Sequence, residues 1–223
     1  MENIDLKKEQ QISLERPRPS YSLPARFFFL SMDLLTGKKI TLPKTLLIEL
    51  LASIPYRAWE LRMYAKLTLG YRNREVVEQA LRIMEWSREA QDNEYWHVVA
   101  IQQKMKEDGV KGAWYLLQPI PFFMIAFYIL FTRTLALFNL RRAFIFNAEF
   151  EDHAEHVYAQ FVQDNPQWEE QQVTSPLVLD RMPFDSWADV FRRIGLDERE
   201  HRNASFIEAG LPERVCPNGY DEA

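Results

Sequence analysis

A chain of 223 residues is long enough for one sizeable domain and too short for two comfortable ones. Its 7 glycines and 47% hydrophobic content favour helices over a sheet protein, and a net charge of -5 without a basic stripe argues against nucleic-acid binding. Cys216 is the single cysteine, which excludes a disulfide framework and a thiolate metal cluster. A bound metal ion must therefore be held by oxygen and nitrogen atoms.

Residues 1–43 are predicted to form an extended N-terminal arm. Its first part, residues 1–16, is charged and polar and predicts disorder, without the pattern of a secretory signal or a transit peptide. We expect either targeting by membrane affinity alone or removal of a presequence. Prolines favour an extended backbone over residues 16–25. The aromatic run that follows, residues 26–30, is expected to pack on the folded domain rather than to enter lipid.

Two long helices are predicted after the arm. The first runs from Lys44 to about Leu69, with Pro43 near its first turn, where proline is favoured. Glu49 lies in its apolar start, and a lone carboxylate there is costly to bury unless it is paired or bound to a metal ion. The second helix runs from Glu75 to about Lys106 and ends before a glycine.

The third segment, Gly112–Phe138, contains an apolar run without charges at Phe122–Phe131. This run is shorter than the ~20 apolar residues that a membrane-spanning helix needs. Arg133, Arg141 and Arg142 follow it, and a short apolar run with basic flanks is typical of a helix lying in one leaflet. A buried core helix would show the same pattern, so both interpretations stay open.

Two further helices complete the predicted fold. One covers Ala143–Val162, a polar connection follows over residues 163–185, and the last helix covers Ser186–Ala209. We therefore predict an all-α protein in which residues 44–209 form a helical bundle domain and residues 210–223 a C-terminal tail.

Two Glu-x-x-His units carry the clearest chemical pattern, Glu94 to His97 and Glu198 to His201. Residues three apart stand on one face of a helix, so a carboxylate and an imidazole there can bind one metal ion. A single unit is weak evidence, because 32 of the 223 residues are acidic. A bundle that supplies the unit from two helices, and one Glu from each of the other two, holds a di-iron or di-manganese site.

The spacing leaves the two remaining glutamates open. Glu49 and Glu60 lie on nearly the same face of the first helix, and Glu151 and Glu155 lie one turn apart on a later helix. Glu149 points elsewhere if Glu151 points inward. From spacing alone, a metal site and a set of solvated charge pairs have similar weight.

Four motifs in chain order resemble those of the alternative oxidases, and especially of the plastid terminal oxidase branch. They are Ile48-Glu49-Leu50 with Pro55-Tyr56, Asn93-Glu94-Tyr95-Trp96-His97, Glu151-Asp152-His153-Ala154 with Tyr158 and Phe161, and Asp197-Glu198-Arg199-Glu200-His201. The resemblance covers about Lys44–Ser205. It departs at Leu50, usually Thr in the family, at Lys44, in the place of an Arg near the quinone, and at Val157, which replaces a Thr. The connection after the third metal helix is also shorter than in the plastid members of the family. These departures concern quinol and inhibitor binding rather than the metal ligands.

The resemblance implies a ferritin-like four-helix bundle with a di-iron centre and additional membrane-surface helices. It implies two iron ions as cofactor, held by Glu49, Glu94, His97, Glu151, Glu198 and His201. Asn93 and Asp197, each just before a ligand Glu, are expected to orient the ligands. The candidates for the quinol pocket, placed by matching motif neighbours, are Lys44, Ile48, Phe150 and Ala154.

Three side chains near the third metal motif have more than one interpretation. Tyr158 lies two turns after Glu151 on the same face. A phenol there can donate an electron and a proton, like the redox-active Tyr of the family, while a core Tyr hydrogen-bonded to a carboxylate would give the same pattern. His153 and His156 lie off the metal face and are interpreted as surface or quinone-pocket residues rather than ligands.

The activity that the resemblance implies is that of a non-haem di-iron quinol oxidase, a quinol:oxygen oxidoreductase acting in electron transport. It would oxidise plastoquinol or ubiquinol and reduce dioxygen to water, with plastoquinol favoured by the plastid-branch motifs. The expected form is a homodimer on one leaflet of a photosynthetic (thylakoid) or bacterial cytoplasmic membrane. A di-iron quinone-precursor hydroxylase and a non-catalytic helical membrane-surface protein are the alternatives.

Overall fold

The computed structural model describes residues 4–217, which form eight α-helices and no β-strand. The all-α fold class is confirmed. Met1–Asn3 of the predicted arm and residues 218–223 of the predicted tail lie outside the described residues. The helices are α1 Leu6–Glu15, α2 Leu23–Thr36, α3 Leu42–Gly70, α4 Arg74–Glu107, α5 Ile120–Phe138, α6 Leu140–Gln163, α7 Pro176–Leu179 and α8 Trp187–Glu208.

The chain divides into two compact units. The middle unit comprises residues 41–143 and holds α3, α4 and α5. The terminal unit comprises residues 4–40 and 144–217 and holds α1, α2, most of α6, α7 and α8. The division into residues 1–43, 44–209 and 210–223 stays a prediction.

In the middle unit, α3 and α4 pack along each other, and their bounds agree with the two long helices predicted from the sequence. Thr41 caps α3 by accepting a hydrogen bond from the backbone N–H of Lys44 at 3.3 Å, and Pro43 lies in the first turn. Asn73 caps α4 in the same way. Tryptophans of the two helices stack, with the ring centroids of Trp59 and Trp86 5.1 Å apart. These contacts fix the two helices that carry Glu49, Glu94 and His97.

Helix α5 has 19 residues and is the one described helix long and apolar enough to cross a membrane by length and composition. Only 22% of its most apolar stretch is buried, so the core-helix interpretation is wrong. The helix extends beyond the apolar run identified in the sequence at both ends. Its exposed apolar side chains are Phe122, Phe123, Phe127, Leu130, Leu137 and Phe138.

The predicted disorder of residues 1–16 is wrong for α1 in the terminal unit. Asp5 caps this helix by accepting hydrogen bonds from the backbone N–H groups of Lys7 and Lys8, both at 3.0 Å. The helix packs against α8 and buries two polar side chains, Glu9 and Ser13. The polar composition of this segment predicted disorder. The prediction failed because the partners that make burial of its polar side chains favourable lie far away in the sequence. Residues 17–22 have no helical structure, as predicted, but residues 23–25 belong to α2, so the predicted extended backbone is wrong there.

Helix α2 packs its aromatic residues against α6. Phe28 contacts Phe150 with ring centroids 5.4 Å apart, and Phe29 stacks on His153 at 4.0 Å. The expectation that the aromatic run packs on the folded domain is confirmed for these two residues. Phe27 is 72% exposed, however, and Leu23, Leu30 and Leu34 are exposed with it. Helix α2 therefore has one packed and one exposed apolar face.

Helices α6 and α8 approach each other closely in the terminal unit. A Cβ atom placed on Gly195 would lie 3.3 Å from the Cβ of Tyr158. Ser186 caps α8 by accepting from the backbone N–H of Asp189 at 3.2 Å, and the chain leaves this helix through Gly210 with φ 71°. Glycine at position 195 permits the close approach of the two helices.

We predict that Gly195→Val lowers the free energy of unfolding by about 1–3 kcal/mol, because the side chain would crowd Tyr158. Glycine and valine differ by only a few tenths of a kcal/mol in helix propensity, so the change reports crowding. Urea denaturation measures it. Gly112→Val is the control, since the nearest atom to its Cβ is 3.9 Å away on Leu116. Equal stability of both variants and the wild type would contradict the prediction.

Candidate metal centre

The middle unit brings three of the predicted ligands together. Glu49 on α3 and Glu94 and His97 on α4 are buried, and each offers one ligand atom within 4.8 Å of the others. His97 Nδ1 lies 3.2 Å from Glu49 Oε2 and 3.5 Å from Glu94 Oε2. Glu94 and His97 share a helix face, as their spacing predicted. We call these three residues the middle-unit group.

The terminal unit brings the other three predicted ligands together. Glu151 on α6 and Glu198 and His201 on α8 are buried, again with one ligand atom from each within 4.8 Å of the others. His201 Nδ1 lies 3.8 Å from Glu198 Oε2. Asn147 Nδ2 donates to Glu151 Oε1 at 2.9 Å. We call Glu151, Glu198 and His201 the terminal-unit group.

The donor chemistry of both groups suits a metal ion. Each group consists of two carboxylates and one imidazole, which favour iron or manganese over the thiolate-rich sites of structural zinc. Glu94 and Glu151 are 0% exposed. Their burial excludes the interpretation of these residues as solvated charge pairs. Two carboxylates this close repel each other in a buried site unless protons or a cation compensate them. The buried Glu and His groups can therefore hold a metal ion.

The other candidate glutamates have different partners. Glu60 is half-buried and accepts a hydrogen bond from Arg88 Nε at 2.8 Å. Glu155 accepts from Arg199 Nε at 2.8 Å and belongs to a cluster of arginines and carboxylates. Glu149 accepts from the backbone N–H of Ser22 at 2.9 Å. The choice that the spacing left open is therefore made by partners on other elements.

Residues predicted to orient the ligands differ in their surroundings. Asp197 is buried and accepts from Arg193 Nε at 3.0 Å and Nη2 at 2.6 Å. Burial works to lower the pKa of the Arg193 guanidinium, but Asp197 and Glu200 outweigh it and raise that pKa above its ordinary value. Asn93 is half-buried beside Glu94. Asp197 is thus held by an arginine one turn earlier, which suits an orienting role; both roles stay predictions.

Tyr158 is buried on α6, where its ring stacks on Phe191 at 6.2 Å between centroids. It is seven residues after Glu151, which places both on the same helix face. This packing fixes the ring and agrees with either interpretation of Tyr158. Its redox role stays a prediction.

The two other histidines are held on α6 outside the ligand groups. The surface interpretation is wrong for His156, which is buried. Its Nδ1 lies 2.6 Å from the carbonyl oxygen of Asp152, and its Nε2 lies 3.0 Å from that of Arg16. His153 is half-buried against Phe29. Neither belongs to a ligand group described above.

The residues predicted for the quinol pocket lie on α3 and α6. Lys44 is buried and Ile48 half-buried on α3, in the middle unit. Phe150 and Ala154 are buried on α6, in the terminal unit, where Phe150 packs on Phe28. The quinol pocket stays a prediction.

Sequence reasoning missed Asn147, which donates to both Glu151 and Ser205 Oγ, the latter at 3.2 Å. The signal was its spacing, because a residue four positions before Glu151 lies on the same helix face. It also missed the charged cluster around Arg199. No spacing rule identifies that cluster, because its members are up to 190 residues apart.

A comparison with protein-family models gave no match, and a comparison with curated proteins gave none either. The resemblance to the alternative oxidases therefore rests on the four sequence motifs.

We predict that Glu94→Gln stabilises the metal-free protein by about 1–3 kcal/mol, because a neutral amide replaces one of two adjacent buried carboxylates. With saturating Fe²⁺ or Mn²⁺, the wild type is expected to become more stable than the variant, since it then gains the binding free energy of the ion. Urea denaturation with a chelator and with metal measures both. Glu60→Gln is the control, because it keeps both groups: its difference in stability from the wild type is expected to be the same with and without metal. A wild type that metal does not stabilise would contradict the assignment.

Proposed function

We propose that this protein is a membrane-bound quinol:oxygen oxidoreductase in which the middle-unit and terminal-unit groups hold two iron ions, one in each group. The observation that supports the proposal most is the position of the motif residues. Each of the four helices with a resembling motif, α3, α4, α6 and α8, contributes its expected ligand to a buried Glu and His group. The two groups have the same composition, one Glu from one helix and a Glu-x-x-His unit from another.

Charge balance favours two divalent ions. Each group brings two carboxylates, and one ferrous ion in each would make both groups formally neutral. Three protein donors for each ion leave positions open for dioxygen. Iron bound there would supply the redox chemistry of dioxygen reduction. A group without its ion would keep two uncompensated charges in a buried place, which is costly.

Residues around the groups would orient the ligands and move protons. Asn147 donates to Glu151 Oε1 and so fixes the rotation of that carboxylate. Asp197, held by Arg193, would keep the start of the Glu198 to His201 turn in place. Tyr158 would donate an electron together with its Oη proton, and quinol would return both to it. Two quinols supply four electrons and four protons, which convert one dioxygen to two waters.

A quinol is apolar, so the enzyme has to meet it at a membrane. Helix α5 has an exposed apolar face with Arg133 in its later part and Arg141 and Arg142 after it, a pattern suited to one leaflet with anionic headgroups. The exposed face of α2 is a second apolar surface. Lys44, Ile48, Phe150 and Ala154 are the proposed quinol contacts. Plastoquinol is the favoured substrate, and a homodimer on a thylakoid or bacterial membrane the favoured form.

We predict that the iron-loaded protein consumes dioxygen when given a short-chain plastoquinol and that cyanide does not stop it. Glu151→Ala is expected to abolish the uptake, because it removes a ligand of the terminal-unit group. Glu149→Gln, two residues earlier on α6 and bonded to Ser22, is the matched control and is expected to keep the activity. An oxygen electrode and iron analysis measure the effects.

Two outcomes would redirect the assignment. An iron-containing wild type that takes up no dioxygen with plastoquinol or ubiquinol would favour the quinone-precursor hydroxylase. A wild type that binds no iron would favour the non-catalytic membrane-surface protein.

We also predict that replacing Phe123 and Phe127 by serine lowers the affinity for lipid vesicles at least about tenfold, since two exposed rings lose their burial in lipid. Vesicle flotation measures binding. Leu69→Ser with Tyr71→Ser is the control, because these residues are as exposed but lie outside α5. Equal binding by both double variants would rule out α5 as the membrane contact.

A further inference from the structure

Five buried charged side chains and the half-buried Arg16 form one network in the terminal unit. Glu9 and Arg16 come from the N-terminal segment, and the other members come from α6 and α8. Three carboxylates face three guanidinium groups, so the network is formally neutral. We call residues 5–22 the N-terminal strap. The members on the helices are Asp152, Glu155, Arg199 and Arg202.

Arg199 joins three elements at the centre of this network. Its side chain is 0% exposed, and its Nε donates to Glu155 Oε1 on α6 at 2.8 Å. Its Nη1 donates to the carboxylate of Glu9, and its Nη2 donates to the backbone oxygen of Glu9 and to Ser13 Oγ, both at 2.9 Å. One guanidinium thus binds α8 to α6 and to the strap.

A second set of contacts closes the network beside Arg199. Arg16 of the strap donates to both Asp152 and Glu155. Arg202 Nε lies 3.0 Å from Asp152 Oδ1, and Tyr21 Oη donates to Asp152 Oδ2 at 2.9 Å. The strap therefore contacts α6 and α8 through charged groups along most of its length.

Members of the network are sequence neighbours of the terminal-unit group. Arg199 directly follows Glu198, and Arg202 directly follows His201. Asp152 directly follows Glu151 on α6. The guanidinium fork has fixed donor directions, so each charged contact constrains the position of the helix that carries it. The residues that fix α6 and α8 are thus the sequence neighbours of the three ligands.

Stability alone is a poor account of these six charges. A buried ion-pair network costs desolvation and is often no more stable than apolar residues of the same volume. Its directional contacts, in contrast, specify one arrangement of the helices. Partners that orient metal ligands typically change metal affinity 10–100-fold when they are removed.

We propose that Arg199 is a positioning residue for metal binding by the terminal-unit group, and that the N-terminal strap holds Arg199 in place through Glu9. The inference rests on the proposed metal centre and deepens it. It makes the strap a part of the metal site rather than an appendage of the fold.

Titration with Co²⁺ tests the proposal, because visible absorption of this ion reports both affinity and ligand geometry. In a Glu49→Gln, His97→Gln background, only the terminal-unit group keeps its ligand set. There, Arg199→Met is expected to lower Co²⁺ affinity about 10–100-fold and to shift the absorption bands. Arg199→Lys is expected to restore part of the affinity. Glu9→Gln is also expected to lower the Co²⁺ affinity. It provides the test if the Arg199→Met variant does not fold.

Arg192→Met is the matched control. Arg192 also lies on α8 and also binds the strap, with its Nε donating to Gln10 Oε1 at 2.7 Å, but it is six residues before Glu198. Its replacement is expected to lower the melting temperature without changing Co²⁺ affinity or absorption.

The outcomes separate this inference from the proposed function. If the wild type binds two Co²⁺ ions and Arg199→Met weakens the binding of one of them, both the metal centre and this inference are supported. Unchanged affinity and absorption in the Arg199→Met and Glu9→Gln variants, with only the melting temperature lowered, overturns the inference and leaves the metal centre standing. A wild type that binds neither Co²⁺ nor iron overturns both.

Discussion

Buried carboxylates have to be matched by positive charge, and this requirement organises the interior of the protein. Eight of the buried carboxylates in the described residues meet it in two ways, while Glu149 accepts hydrogen bonds from Ser22. Glu9, Asp152, Glu155 and Asp197 are matched by arginines, which hold helices together. Glu49, Glu94, Glu151 and Glu198 are grouped with histidines instead. A histidine beside two carboxylates is the donor set of a metal ion, so the second arrangement suits chemistry and the first suits structure.

Both arrangements alternate along the same two helices of the terminal unit. On α6 the candidate ligand Glu151 is followed by the arginine-bound Asp152, and on α8 the candidate ligand Glu198 is followed by Arg199. A helix turns about 100° per residue, so adjacent positions face different neighbours. One short segment can therefore offer a ligand on one side and a charged contact on the next. A substitution that removes such a charged contact is therefore expected to shift the position of the candidate ligand beside it.

The apolar surface places a second constraint on the molecule. Most apolar side chains of α3 and α4 are buried, while α5 keeps a row of exposed phenylalanines and leucines. An exposed apolar face of that size is typical of a contact with a partner or with lipid. The proposed quinol substrate is itself apolar, so the same face would bring the enzyme to its substrate. The proposed chemistry and the surface therefore favour the same location, a membrane.

The sequence by itself determined what depends on local geometry. The helix bounds of α3, α4 and α8 followed from caps, glycine and proline, and Glu-x-x-His spacing placed His97 beside Glu94 because residues three apart share a face. The tertiary structure decided what depends on distant partners. Glu155 is one turn from Glu151 and looked equivalent, but Arg199 and Arg16 bind it. Residues 5–16 of the strap were predicted to be disordered, because Glu9 finds its partner Arg199 190 residues away in the sequence. Periodicity likewise left α5 open between core and surface, because an apolar helix has the same sequence in both places and only its neighbours decide which side chains stay exposed.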